Sequence, residues 1–244
     1  MSITAALLIS LVAFVTIEFL WIKFNGSPIP RPDISNAPDV IGSGKPLTFA
    51  VLGDSTAVSQ GGLYERGYAK SSALHLSKNY TVTWRNFAVS GARAKDVETM
   101  QAIEAAKHKP DIVLVAVGAN DVTHLTGINS VHDSLLQTIN TLRQANKDVK
   151  IVLTGSPDMG SVPRLPQPAR WFAGKRTVTV NEMVVKLAEE QQVTFAPIAA
   201  KTGPTFRQHP ELFAGDKFHP LTEGYDIWTP VITDAIDIAL KQPL

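Results

Sequence analysis

The residues that could do chemistry in this chain are a serine, an aspartate and a histidine set far apart in sequence. A short apolar run, Leu47–Leu52, ends in Gly53-Asp54-Ser55-Thr56. A serine placed directly after a buried strand and flanked by glycine is presented at a sheet edge, where a substrate can reach it. A free serine hydroxyl is a poor nucleophile and needs a histidine base, itself oriented by a carboxylate. Asp216-Lys217-Phe218-His219-Pro220 offers that pair. Three residues apart on one turn, the carboxylate can meet the imidazole, fix its tautomer and stabilise the imidazolium. Pro220 then stiffens the exit into a final helix, where proline is tolerated in the first turn. Taken singly, each motif has an ordinary reading. Gly-Asp-Ser can be a turn with a helix cap, and Asp-x-x-His can be a solvated surface loop.

Acyl transfer also needs donors aimed at the oxyanion. Ser90-Gly91 and Gly118-Ala119-Asn120-Asp121 each follow an apolar run. Gly91 can supply a backbone N–H with no side chain in the way, and Asn120 can supply its amide. Glycine and asparagine are also ordinary turn residues. Four such signals in order, three of them directly after expected strands, could converge on one sheet edge.

The elements that must position them read as α/β. Leu47–Leu52, Tyr80–Val89, Ile112–Val117 and Lys150–Thr154 are short runs rich in β-branched residues, with Val193–Pro197 as a fifth strand. Val131, Leu135, Ile139 and Leu142 give one apolar face to a helix starting near Asn129, and Val180, Val184 and Leu187 do the same for a second. A last amphipathic stretch runs from about Leu221 to Leu240, with Pro230 expected to interrupt or kink it. Strand–helix alternation implies a three-layer α/β/α sandwich around a mainly parallel, five-stranded sheet, whose reactive residues gather at the carboxyl ends of the strands.

Residues 3–22 form a nearly unbroken apolar stretch with Glu18 as its single charge. A helix of this length at ~1.5 Å per residue spans about 30 Å, the hydrocarbon thickness of a bilayer. Trp21 and Lys23 close it as interfacial residues do. A cleavable signal peptide would want a basic start and a small-x-small site, and residues 1–10 hold no Lys or Arg. The expectation is an N-terminal transmembrane anchor over residues 1–24. Lys23 and Arg31 lean toward a cytosolic catalytic domain, but two charges leave the side of the membrane open. Residues 25–46, with five prolines and three glycines, read as a tether. Residues 47–244 are then the catalytic domain.

In these four blocks the chain resembles the SGNH hydrolases, the GDSL-like lipases and esterases, whose name gives a serine, glycine, asparagine and histidine. Here these are Ser55 in GDST, Gly91 in NFAVSGA, Asn120 in VGAND and His219 in DKFHP. The resemblance covers roughly residues 47–240, and the G-x-N-D and D-x-x-H blocks are its more specific parts. It implies a flavodoxin-like sheet and hydrolysis of esters or thioesters without a cofactor. It implies Ser55 as nucleophile, His219 as base and Asp216 as its orienting acid. The oxyanion donors would be the Ser55 and Gly91 N–H groups and the Asn120 amide. One departure is Thr56, where the family's first block usually has leucine; this puts substrate preference in doubt more than catalysis.

The rest of the chain narrows the alternatives. Residues 155–174 read as a long proline-rich connection, and such loops are often lids or binding loops. Met159, Val162, Leu165, Trp171 and Phe172 could wall an acyl pocket or merely cover the sheet edge, and Asp54 joins them as a substrate-contact candidate. His75, His108, His124, His132 and His209 show no metal-ligand spacing, so no metal is expected. A net charge of +1 with mixed signs gives no nucleic-acid footprint, and the absence of cysteine excludes disulfides and thiolate nucleophiles. The expected partners are a small-molecule or lipid ester and a membrane through residues 3–22, with no obligate protein partner. A carbohydrate O-acetyl esterase or an acyltransferase could use the same groups. A non-catalytic membrane-tethered binding module is a reading from another class. A phosphorylated Asp54 would want a second acid two residues on, where Thr56 stands.

Overall fold

The computed structural model describes residues 3–32 and 34–242. Helix α1 (Ile3–Phe24) precedes the strands β1 (Asp39–Ile41) and β2 (Lys45–Gly53). Helix α2 (Tyr68–Leu76) leads to β3 (Tyr80–Asn86), and the short helices α3 (Ala94–Asp96) and α4 (Ala102–Ala106) flank a π-helical turn at Val97–Gln101. Next come β4 (Ile112–Ala116), α5 (Ala119–Thr123), α6 (Ile128–Ala145) and β5 (Lys150–Leu153). The chain continues through α7 (Ala169–Glu190), β6 (Thr194–Phe195), α8 (Ile198–Gln208) and α9 (Thr222–Lys241).

The strands form one mixed sheet in the order β1-β3-β2-β4-β5-β6. Every pairing is parallel except that of β1 with β3. All five residues of β4 are buried, as a strand covered on both faces requires. Helix α2 packs against α9, while α4, α6 and α7 pack in a second group, giving an α/β sandwich. The apolar stripe Val131, Leu135, Ile139 and Leu142 is the buried face of α6, and Val180, Val184 and Leu187 are buried on α7. Chain order reverses across β2, which lies between β3 and β4. Crevices for ligands open at the carboxyl ends of strands around such a reversal, and the segments after β2, β3 and β4 all start there.

Several expectations are corrected. Among the described residues the sheet has six strands, not five. The extra one, β1, lies within the stretch that reads as a tether, and residues 45–46 of that stretch belong to β2. Three residues between Pro38 and Gly42 are too few to show a period. Long-range bonds fix β1 instead, with the Asp39 carboxylate accepting from Lys70 Nζ at 2.6 Å and Trp84 Nε1 at 3.2 Å. Helix α9 continues through Pro230. The connection after β5 is shorter than expected, because α7 already begins at Ala169 and a 3-10 turn occupies Met159–Ser161.

The apolar N-terminal stretch is helical, with Leu8, Ile9, Val12, Val15, Ile17 and Phe24 exposed. Among the described residues, however, no helix is long and apolar enough to cross a membrane, so the expected transmembrane span is not supported. The side chains of Leu7, Leu11, Phe19 and Ile22, on which that expectation partly rests, lie outside the described residues.

Candidate active site

The final residue of β2 is pinned from below. Gly53 donates its N–H to Gln101 Oε1 at 2.7 Å, and Gln101 Nε2 donates back to the Gly53 carbonyl at 2.9 Å. Ser55 follows in the turn that leaves the strand. The Asp54 carboxylate is engaged by the residue after Ser55: its Oδ1 accepts from the Thr56 N–H at 2.9 Å and the Thr56 hydroxyl at 2.8 Å. The Tyr68 hydroxyl lies 2.9 Å from Thr56 Oγ1 and donates to it, because the Thr56 proton is engaged by the carboxylate. Burial pushes Asp54 up to about 6, against the pull of the Thr56 bonds, and pushes Tyr68 well above its ordinary value.

The opposite wall is a closed turn. The Phe213–Pro220 bridge and the 2.8 Å bond from Ala214 N–H to the His219 carbonyl hold its base. Lys217, at φ 58°, turns the chain over. Asp216 Oδ1 accepts the N–H groups of Phe218 and His219, each at 3.0 Å. Its Oδ2 lies 2.6 Å from His219 Nδ1, and His219 Nε2 lies 2.9 Å from Ser55 Oγ. A carboxylate only accepts, so Nδ1 carries the proton and Nε2 is left to accept from the serine. Burial by itself would raise Asp216, but the His219 side-chain bond and the two backbone bonds outweigh it and hold the carboxyl below its usual range. All three residues are more than nine-tenths buried.

The segments after β3 and β4 are tied to each other. Asn120 Nδ2 donates to the Ala92 carbonyl at 3.0 Å, and Asp121 Oδ2 accepts the Ala94 N–H at 3.0 Å. Burial raises the Asp121 carboxyl. The asparagine amide has a second hydrogen to offer an oxyanion. Gly91 holds φ 89° with no heavy atom within 4 Å of where a Cβ would stand, so backbone conformation rather than crowding calls for glycine there.

A narrow, partly open cavity lies beside Ser55 and His219. Of the expected pocket residues, Met159 and Val162 line it; Asp54, Leu165, Trp171 and Phe172 do not. Trp171 and Phe172 sit in the first turns of α7 and are exposed, and Leu165 packs against the core. The walls that sequence reading misses are Phe206 from α8, Phe213 and Phe218 from the histidine turn, and Trp228 from α9. An apolar residue on a helix stripe carries no mark distinguishing a cavity wall from core. Gln101 and Tyr68 carry no local signal either, since their partners are distant in sequence.

A mixed α/β sandwich with a serine after a strand end, in a row with a histidine and an aspartate from the turn before the last helix, has the plan of a serine hydrolase. The match of residues 51–227 to the GDSL-like Lipase/Acylhydrolase family shows that the chain belongs to that family. It is 27% identical over 205 residues to the GDSL-like esterase Rv1075c of Mycobacterium tuberculosis, an alignment covering 80% of this chain and 63% of that protein. The chain thus spans less than two thirds of that relative's length. Among solved structures it is similar in fold to TesA, with a TM-score of 0.64 at 16% identity over 79% of this chain and 99% of that one. It is also similar to a variant of Axe2, an acetyl-xylooligosaccharide esterase from Geobacillus, with a TM-score of 0.58 at 21% identity over 79% and 95% of the two chains.

Proposed function

We propose that this chain is a serine esterase that cleaves carboxylic esters through an acyl-enzyme. The observation carrying the reading is the unbroken row from Ser55 Oγ through His219 to Asp216, at 2.9 and 2.6 Å. His219 Nε2 takes the Ser55 proton as the oxygen attacks the acyl carbon. The N–H groups of Ser55 and Gly91 and the amide of Asn120 hold the resulting oxyanion. The carbon–oxygen bond to the alcohol then breaks, and the alcohol leaves with the proton from His219. Water, deprotonated by the same imidazole, attacks the acyl-serine and releases the acid and the free hydroxyl. Asp216 keeps the imidazole in the required tautomer throughout.

The test is labelling by a fluorophosphonate together with p-nitrophenyl acetate hydrolysis. The wild type should form an adduct on Ser55, and Ser55→Ala should lose both signals while keeping its circular dichroism spectrum. Undiminished hydrolysis by Ser55→Ala would overturn the reading.

The catalytic unit in this proposal is residues 47–244 together with β1 and the first residues of β2, which complete the same sheet, and α1 attaches it to a membrane. The exposed Leu8, Ile9, Val12, Val15 and Ile17 support attachment, since apolar surface on that scale is rarely left in water. Fractionation of the full chain against one lacking residues 1–24 tests it; equal solubility of the two sinks it. The likeness in fold to an acetyl-xylooligosaccharide esterase keeps a carbohydrate O-acetyl ester among the substrates to be assayed, with acetate release as the readout.

A further inference from the structure

We propose that the cavity beside Ser55 is an acyl site that admits only short acyl groups, with Asp158 as its end stop. The proposal rests on the esterase reading above and concerns which ester that site accepts.

Size is the first ground. Ser55 and His219 open onto a cavity closed by Met159, Val162, Phe206, Phe213, Phe218 and Trp228. Its interior leaves the centre of a water-sized sphere about 20 Å³. One water needs about 10–15 Å³ on that measure, so the space suits an acyl tail of about one or two carbons beyond the carbonyl. Apart from the partly buried Phe218, its large walls are buried core side chains, and core of this kind is close-packed and does not yield to a long chain without loss elsewhere.

The second ground is what stands at the end. Asp158 lines this cavity and also a separate hollow of about 500 Å³, walled largely by Val178, Val185, Phe195, Pro197 and Pro204. One residue therefore belongs to both spaces. The Asp158 carboxylate is held by two contacts. Its Oδ1 accepts the Gly160 N–H at 3.0 Å, and its Oδ2 pairs with Arg207 Nε at 2.7 Å. A Cβ at Gly203 would stand 2.8 Å from Oδ2, so the missing side chain at 203 makes room for the carboxylate. Because Asp158 is the residue the two spaces share, an alkyl chain passing from the cavity into the apolar hollow would have to pass its clamped carboxylate. Contact between methylenes and a buried carboxylate removes solvation from the charge and returns nothing. The stop is thus both steric and electrostatic.

The experiment is a chain-length series of p-nitrophenyl acetate, butyrate, octanoate and laurate on the full chain, on Asp158→Ala and on Val162→Ala. The wild type should lose at least about tenfold in kcat/KM between acetate and octanoate. Asp158→Ala should raise the octanoate-to-acetate ratio by about tenfold, opening a way to the hollow. If Asp158→Ala fails to fold by circular dichroism, Val162→Ala, which enlarges the same cavity, must shift the profile toward butyrate. Equal turnover of octanoate and acetate by the wild type overturns the proposal, as does an unchanged profile in the folded variants. Turnover of no ester, with no fluorophosphonate adduct on Ser55, is a different outcome that sinks the esterase reading itself.

Discussion

Ser55 Oγ and His219 Nε2 lie 2.9 Å apart although 164 residues separate them in the chain. The contact depends on two anchors that share no sequence. Gln101 clamps the end of β2, while Arg164 Nη1 donates to the Asp216 carbonyl at 3.2 Å and braces the histidine turn from outside. Packing of α9 against α2 holds the two sides together, and Tyr225 on α9 donates its hydroxyl to the Gln60 carbonyl at 2.7 Å, five residues beyond Ser55.

Replacing Asp216 by asparagine should leave the imidazole in place and reverse its tautomer. The amide nitrogen can donate to Nδ1, so Nε2 carries the proton and no longer accepts one from Ser55. Ester hydrolysis should fall by about 10⁴-fold, as for the same change in other serine hydrolases. Single-turnover kinetics with p-nitrophenyl acetate measure it, and a loss smaller than tenfold would contradict the role given to Asp216.

Asn120→Ala should lower kcat by about 10²–10³ with little change in KM, because an oxyanion donor acts in the transition state rather than on bound substrate. The same change removes the bond to the Ala92 carbonyl, as does Asn120→Asp, which keeps the side chain's shape and loses both donors, so urea melts of the two variants accompany the kinetics. Both should be slow. Fast turnover by either removes Asn120 from the oxyanion site.

Asp54 and Asp216 should pull stability in opposite directions as pH changes. The folded-state value of Asp54 is raised from 3.8 to about 6, so its favourable contribution is complete below about 4 and is lost as pH rises through 6. Asp216 is lowered, so its contribution is present above the ordinary carboxylate value and is lost as pH falls through its folded value. Asp54→Asn keeps an acceptor for Thr56 and removes the buried charge. Its stability should match the wild type near pH 4 and exceed it by about 3 kcal/mol near pH 8, since each tenfold change in proton affinity on folding is worth about 1.4 kcal/mol. Urea melts across that range decide, and a gap that closes rather than opens with rising pH would show the sign to be wrong.

These groups differ in how far the sequence reveals them. The blocks around Ser55, Gly91, Asn120 and His219 are legible because each is a local strand-end or turn pattern, and the apolar runs of β2 and β4 are legible because parallel strands are buried on both faces. What escapes is fixed by distant partners. Strand β1 depends on Lys70 and Trp84. The cavity walls Phe206 and Trp228 look like ordinary helix stripes. Trp171 and Phe172 belong at the pocket only if residues 155–174 are one loop, whereas the start of α7 at Ala169 places both on an exposed face.

The departure at Thr56 leads to a last prediction. In this chain the threonine hydroxyl donates to Asp54 and accepts from Tyr68, and Tyr68 is only 1% exposed. Thr56→Leu, which restores the residue usual in the family's first block, should therefore be harmful here. It strips one donor from a buried carboxylate and leaves a buried phenol without its acceptor. An orphaned buried polar group costs about 1–3 kcal/mol, so Thr56→Leu should lose about that much in urea melts. Adding Tyr68→Phe removes the phenol that was orphaned, so the double variant should recover part of the loss. The two substitutions should be non-additive, because they act through one shared hydrogen bond. Strict additivity would mean that Thr56 and Tyr68 stabilise the serine turn independently, and the polar chain beneath Ser55 would lose its meaning as a unit.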